Sequence, residues 1–341
     1  MAMRVTTNSS LRTYRGHLAR ATSNMYQSMN TVLNNGRRFN SFSDAPALAT
    51  QSYRVHSAYA RNQAQQETSS SAISKFEAAF SSLQEFDNEY NNALSQAMQA
   101  GNPPSGGGLK ALGQTLTSTA EAMVQTLNAK YGDKFIFAGA DGDNAPFSLK
   151  EGKLYFRDTP VDTSDPATLE QLKSMAGETT YVDVGLGFEL DENEQVIPST
   201  AFNSSISGIG LTGYGVDEDG VPNNVISIIS RLGEIYSQAD TDGNLPTDLK
   251  EEADQLFGKM QDSYSEYITN HSEMESRAEF LKSNDKRLAT TGDTLVEQYE
   301  SLDRVDLADA LTTFAYAQYS YNAALRVGNE ILSQSFLDYM S

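Results

Sequence analysis

The sequence predicts a mainly α-helical chain: a long antiparallel helical rod with paired terminal helices and a small β-rich outer domain inserted into it. Three observations predict this. Both ends carry apolar stripes at heptad spacing, the stretches 44–100 and 248–302 read as long helices, and between 141 and 223 Gly, Asp and Pro become frequent. The 341 residues suffice for two or three modules. With 39% hydrophobic residues and a mean hydropathy of −0.47, the chain suits narrow apolar stripes better than a compact enzyme core.

In chain order, Leu11, Leu18, Met25 and Val32 fall seven apart, with Tyr14, Ala21 and Met29 near the intermediate positions, which makes a heptad-like stripe. "LNNGRRFNSFSDAPALA" (33–49) breaks it with an Asn-Asn-Gly turn and two adjacent arginines. A helix then starts with Asp44 as N-cap and Pro46 in its first turn, marked by Ile73, Phe76, Phe80, Leu83, Tyr90, Leu94 and Met98. "GNPPSGGG" (101–108) must end it, and 109–130 resumes helix through Leu112, Leu116, Met123 and Leu127. "KFIFAG" (134–139) reads as a strand from its aromatic and β-branched content. Within 141–223, "KLYFRD" and "TYVDVGLGFEL" alternate as strands do. Helix returns at 224–240 and 248–302, the latter striped by Leu256, Met260, Tyr264, Tyr267, Met274, Phe280 and Leu281. The last helix has Leu307, Leu311, Phe314, Gln318, Tyr321, Leu325, Gly328 and Leu332 on one seam, with Asp303 or Asp306 able to cap it. Neither terminal stripe is wide enough for a core helix, so each needs the other or a neighbouring subunit. The implied domains are 1–43 with 303–341 as a terminal coiled coil, 44–140 with 224–302 as the helical rod, and 141–223 as the outer domain.

Charge narrows the function classes. The net charge is −20, which argues against nucleic acid as a partner. Residues 1–66 nevertheless hold eight arginines and one acid, whereas 141–223 holds four bases and sixteen acids. Pairing of the basic N-terminal stretch with an acidic segment of the same chain is the simplest reading. No run of apolar residues is long enough to span a membrane, and residues 1–20 have no apolar core of a cleaved signal peptide. Cysteine is absent, which removes disulfides, thiolate metal sites and cysteine nucleophiles together.

Motifs that would carry chemistry fail on context. "GIGLTG" (208–213) matches a dinucleotide fingerprint in letters, but "YGVDEDGVPNN" follows it instead of a helix, so a flexible loop is expected. "VDEDGV" (216–221) and "DTDGN" (240–244) resemble calcium loops, yet the twelfth positions would be Ile226 and Leu249 instead of a bidentate Glu, so acidic turns are expected. His17, His56 and His271 are too scattered for a metal site and read as solvated helix residues. No catalytic, cofactor-binding or metal residue is nominated, and no enzyme is expected.

The passage 33–49 resembles the signature of the flagellin family, L-x-x-G-x-R-I-N-S-x-x-D-D-x-A, with Leu33, Gly36, Arg38, Phe39, Asn40, Ser41, Asp44 and Pro46 at matching places and Ala45 departing from the paired acids. "SRAEFLKSNDKRL" (276–288) is similar to the family's R-x-x-x-G-A-x-x-N-R-L helix, with Phe280 in place of glycine, and 305–340 resembles its C-terminal helix throughout. The resemblance covers roughly 1–140 and 224–341. Within the family, "YGDKFIFAGADGDNAPF" (131–147) and "FLDYM" near the end are similar to the hook-associated branch, which joins hook to filament, more than to the filament subunits.

The resemblance implies a structural role in the bacterial flagellum: helical self-assembly in a ring, with hook and filament subunits and other hook-associated proteins as neighbours. It also implies a flagellar export chaperone and an extracellular destination reached by the flagellar type III route. The terminal helices would form the inner tube of the assembly. The assembly interface would then draw on Leu11, Leu18, Met25, Val32, Arg37, Arg38, Leu311, Phe314, Tyr321, Leu325 and Leu332. A filament subunit or a self-contained secreted coiled-coil protein remain the alternatives.

Overall fold

The computed structural model describes residues 7–33, 43, 46–101, 107–240 and 242–340, with the helix path alone at 7, 8, 10 and 331–340. Most of it is helical, as the periodicity predicts, and it divides into two compact units, residues 1–63 with 290–341 and residues 64–289.

The first unit is built on α1 (Thr7–Leu33) and α8 (Leu307–Met340), joined by the first turns of α2 (Pro46–Ala100) and the last turns of α7 (Thr247–Asp303). Pro46 opens α2 as its first residue, where a missing N–H costs nothing; Asp44, the expected cap, lies outside the described residues. Of the two candidate caps for α8, Asp306 takes the role: its Oδ1 accepts from the Ala308 N–H at 2.8 Å. Asp303 instead ends α7 and is buried. The end turns of α2 and α7 meet through His56 and Tyr299, with ring centroids 5.9 Å apart, and through buried Asn62 against Gly292.

In the second unit α2 and α7 run antiparallel along an aromatic seam. Tyr90 stacks on Tyr264 at 3.6 Å, Phe86 meets Tyr267 at 5.0 Å, and Phe80 stacks on His271 at 5.7 Å. Leu83, Met260, Met274 and Leu281 fill the spaces between. His271 is therefore not the solvated residue its sequence context suggests: it is half-buried, and its Nε2 has no hydrogen-bond partner. Beside this pair, α3 (Gly108–Leu127) crosses α6 (Val225–Ser237) at two glycines. A Cβ on Gly113 would lie 2.5 Å from the Ser237 backbone nitrogen, and one on Gly233 would lie 2.8 Å from the Thr117 backbone nitrogen. Only glycine lets the two backbones approach this closely. Ten of the thirteen residues of α6 are buried, with Arg231 and Glu234 on its remaining face, and Asn224 caps it by accepting from the Ile226 and Ser227 N–H groups.

Strands are present but short. β1 (Lys130–Tyr131) and β2 (Lys134–Phe135) form one hairpin, so the strand expected over 134–139 ends after two residues. Ile136, Phe137 and Ala138 turn into the core, where Ala138 bridges Ser207. β3 (Phe147–Lys150), β4 (Lys153–Phe156) and β5 (Thr159–Pro160) make an antiparallel meander, so the first four residues of "KLYFRD" are a strand and its last two are a turn. Both of its turns are two residues long with positive φ, Glu151-Gly152 and Arg157-Asp158, the left-handed geometry that tight hairpins require. Of "TYVDVGLGFEL" only β6 (Tyr181–Val182) is a strand, paired with β7 (Phe202–Asn203). The periodicity reading missed α4 (Pro166–Ala176), although Asp165-Pro166 is a legible helix start: the Asp165 side chain accepts from the Thr168 N–H at 3.0 Å.

"GIGLTG" is also corrected. It forms α5 (Gly208–Thr212), a buried single turn rather than a flexible loop, because Gly208 sits under the Phe147 ring and Gly210 against Ala176. The two acidic passages are turns in which Asp217 and Asp240 accept backbone N–H groups two and four residues ahead. Buried residues of β3, β4, α4 and α5 join those of α2, α3, α6 and α7 in one continuous core.

Candidate assembly surface

α1 and α8 pack as an antiparallel pair. The Tyr14 hydroxyl lies against Gly328, while toward the other end Ala21, Asn24, Gln27, Ser28 and Thr31 face Val305, Ala310, Thr313 and Ala317 across a groove of about 560 Å³. Leu11, Leu18, Met25 and Val32 are each half-buried.

The stripe on α8 divides. Phe314 and Tyr321 are half-buried, together with Ala317 and Ala324, and Ala310 and Gly328 are fully buried. These six residues follow 4,3,4,3,4 spacing, a seam of small residues interrupted by two aromatics. Sequence reasoning missed its alanines because larger apolar residues beside them dominated the pattern. Leu311 and Leu325, in contrast, are 49% and 42% exposed, as is Leu307 at 51%. Arg37 and Arg38 lie outside the described residues, and Leu332 lies where only the helix path is described. The eleven expected residues thus differ in exposure: six are half-buried on α1 and α8, two lie exposed, and three are those whose side chains are not described.

The exposed part of α8 is unusual in its chemistry. From Ala310 to Leu325 there is no charged residue, yet Leu311, Tyr316, Tyr319 and Leu325 face solvent. Ordinary soluble helix surfaces are about a quarter to a third charged. A helix this free of charge is suited to burial on all sides.

Polar side chains in the second unit are structural clamps. Arg157 donates from two nitrogens to Glu178 at 2.7 Å each and also to the Ala138 carbonyl, while Glu178 accepts from the Ala140 N–H at 2.9 Å. Burial alone would raise the Glu178 carboxyl, but these donors outweigh it and hold it below the usual carboxylate range. Lys75 from α2 donates to the Ser204 carbonyl at 3.0 Å, and Arg277 from α7 donates to the Asn203 and Ser205 carbonyls. Burial lowers the pKa of both, and for Lys75 the nearby Arg277 adds to it. Among the described residues no group of three or more His, Asp or Glu could hold a metal ion, and no helix is long and apolar enough to cross a membrane.

No family model matches the sequence, and no curated protein is similar to it in sequence. Solved structures do match. A protein described as a flagellar hook-associated protein from Vibrio parahaemolyticus superposes with a TM-score of 0.58 at 12% identity, over 76% of this chain and 100% of that one. Hook-associated protein-3 from Legionella pneumophila gives 0.50 at 12% identity, over 73% and 98%. At this identity the likeness is one of architecture: the chain has the fold of flagellar hook-associated proteins.

Proposed function

We propose that this chain is a structural subunit of the bacterial flagellum, assembling with copies of itself at the junction between hook and filament. The observation that carries the reading is the uncharged stretch of α8 from Ala310 to Leu325, with Leu311, Tyr316, Tyr319 and Leu325 exposed to solvent, set on a fold shared with hook-associated proteins. In a free protein those leucines and tyrosines cost solubility and contribute little; in a packed tube of helices they would be buried. Hook and filament subunits, other hook-associated proteins and an export chaperone are the proposed partners. Export by the flagellar type III route to the cell exterior is the proposed path. The terminal pair with 1–43 and 303–341 would form the assembly domain, with 44–140 and 224–302 as rod and 141–223 carried outward. The role needs no catalytic group, metal or cofactor.

Electron microscopy and immunolabelling of a deletion strain test this. Loss of the gene should leave hooks without filaments and release filament protein into the medium, and label should mark the base of each wild-type filament only. Label along the whole filament would make the chain a filament subunit. Normal flagella in the deletion strain would favour a secreted protein that folds alone.

A further inference from the structure

We propose that the outer face of α1 docks on the acidic face of the last turns of α7 in a second copy of this chain, a head-to-tail contact. This rests on the assembly reading above and adds to it the residues through which copies meet. Helix α1 carries Arg12, Arg15 and Arg20 and no acid, and all three arginines are exposed and without an ion pair among the described residues. On its outer face Ala19, Thr22 and Ser23, with an edge of Leu18, line an open groove of about 500 Å³ together with Arg15 and Tyr26.

The last turns of α7 offer the complement. Asp293, Val296, Glu297 and Glu300 fall at i, i+3, i+4 and i+7, so they share one face, and all four are exposed. Glu300 reaches Arg304 at 3.6 Å, but Asp293 and Glu297 have no ion pair among the described residues. Val296, 39% exposed between these carboxylates, is an apolar knob of the size the small-residue floor of α1 would take.

The two faces are far apart within one copy. Tyr14 lies against Gly328, so Arg15 is level with the later part of α8, whereas α7 delivers the chain to the start of α8 at Leu307. Twenty residues of helix separate those levels, about 30 Å at 1.5 Å per residue. Because each copy carries both faces and they differ, the contact is heterologous and propagates instead of closing as a dimer. The charges set orientation and register more than affinity.

The chain has no cysteine, so introduced thiols are unique. A chain carrying both Ala19→Cys and Val296→Cys, oxidised in flagella isolated from the bacterium that makes it, should give a ladder of disulfide-linked multimers. Each single variant should stay monomeric. Arg15→Glu should cut incorporation into flagella at least tenfold, and adding Glu297→Arg should restore it. Incorporated double-cysteine protein without cross-links, or Arg15→Glu incorporating normally, would overturn the contact while leaving the assembly reading standing. An Ala19→Cys dimer from the single variant would mean a two-fold contact and overturn it equally. Wild-type protein missing from isolated flagella would sink the assembly reading itself, and the contact with it.

Discussion

At the scale of single residues, Leu18 and Leu325 look equivalent in the heptad pattern but occupy different environments. Leu18 is half-buried on α1, whereas Leu325 is 42% exposed. Leu325→Asp should leave the melting temperature of the free protein nearly unchanged, since its side chain stays in water. In the assembly the same charge would be buried without a partner, at several kcal/mol per subunit, and should block incorporation. Leu18→Asp should weaken the pair already in the free protein, seen as lost helicity by circular dichroism. Equal melting of the two variants would contradict this division.

Asp162 gives a second residue-scale prediction. Burial pushes its carboxyl up to about 6, the nearby Ser227 hydroxyl offsetting only part of that, and neither its Oδ1 nor that hydroxyl completes a hydrogen bond of ordinary length. A folded-state pKa above the unfolded value means the folded protein holds the extra proton. Its contribution is full below about pH 4 and is lost as pH rises through 6. Asp162→Asn should therefore stabilise the protein by about 2 kcal/mol at pH 7.5 and have little effect near pH 4. Thermal melts across that range check it, and a gain independent of pH would assign it to another cause.

At the scale of elements, the α3–α6 crossing is set by backbone contact. A methyl at position 113 would meet the backbone of Ser237 at 2.5 Å and the Gly233 carbonyl at 2.8 Å, and neither can step aside as a flexible side chain would. Gly113→Ala should cost about 3 kcal/mol, at the upper end of overpacking penalties. Gly258, in the exposed interior of α7, has no atom within 4 Å of the same added methyl. There Gly258→Ala should stabilise by up to about 1 kcal/mol, because alanine loses less backbone entropy in a helix. Chemical denaturation of the pair separates the two effects, and similar signs for both would refute the crossing argument.

At the scale of the whole molecule, the segment 141–223 is chemically unlike the helices in its net charge of −12, yet it shares their core. Phe147, Leu154, Phe156, Leu172, Phe202 and Ile209 are all buried in the cluster that includes α3 and α6. Ten of the thirteen residues of α6 are buried, so removing that cover would expose Ile228, Ile229 and Leu232 among others. Replacing 144–222 with a short Gly/Ser linker should therefore lower the melting temperature of unit 64–289 sharply and promote aggregation. A shortened protein that melts like the parent would show that the helices form a sufficient core without it.

The sequence by itself determined the helical class, the extent of α2 and α7, the break after residue 100 and the concentration of arginine near the start. Those features follow from local propensity, caps and periodicity, which act within a few turns of chain. It also determined that both ends carry apolar stripes, but not which part of each stripe is covered. That depended on the width of the partner helix: α1 covers the alanine seam of α8 and leaves Leu311 and Leu325 outside. Burial of "GIGLTG" and of His271 likewise comes from Phe147, Ala176 and Phe80, all more than thirty residues away in the chain. Only the tertiary structure decides such contacts, because the energy of burying a side chain belongs to the neighbours that remove its water and not to its place in the sequence.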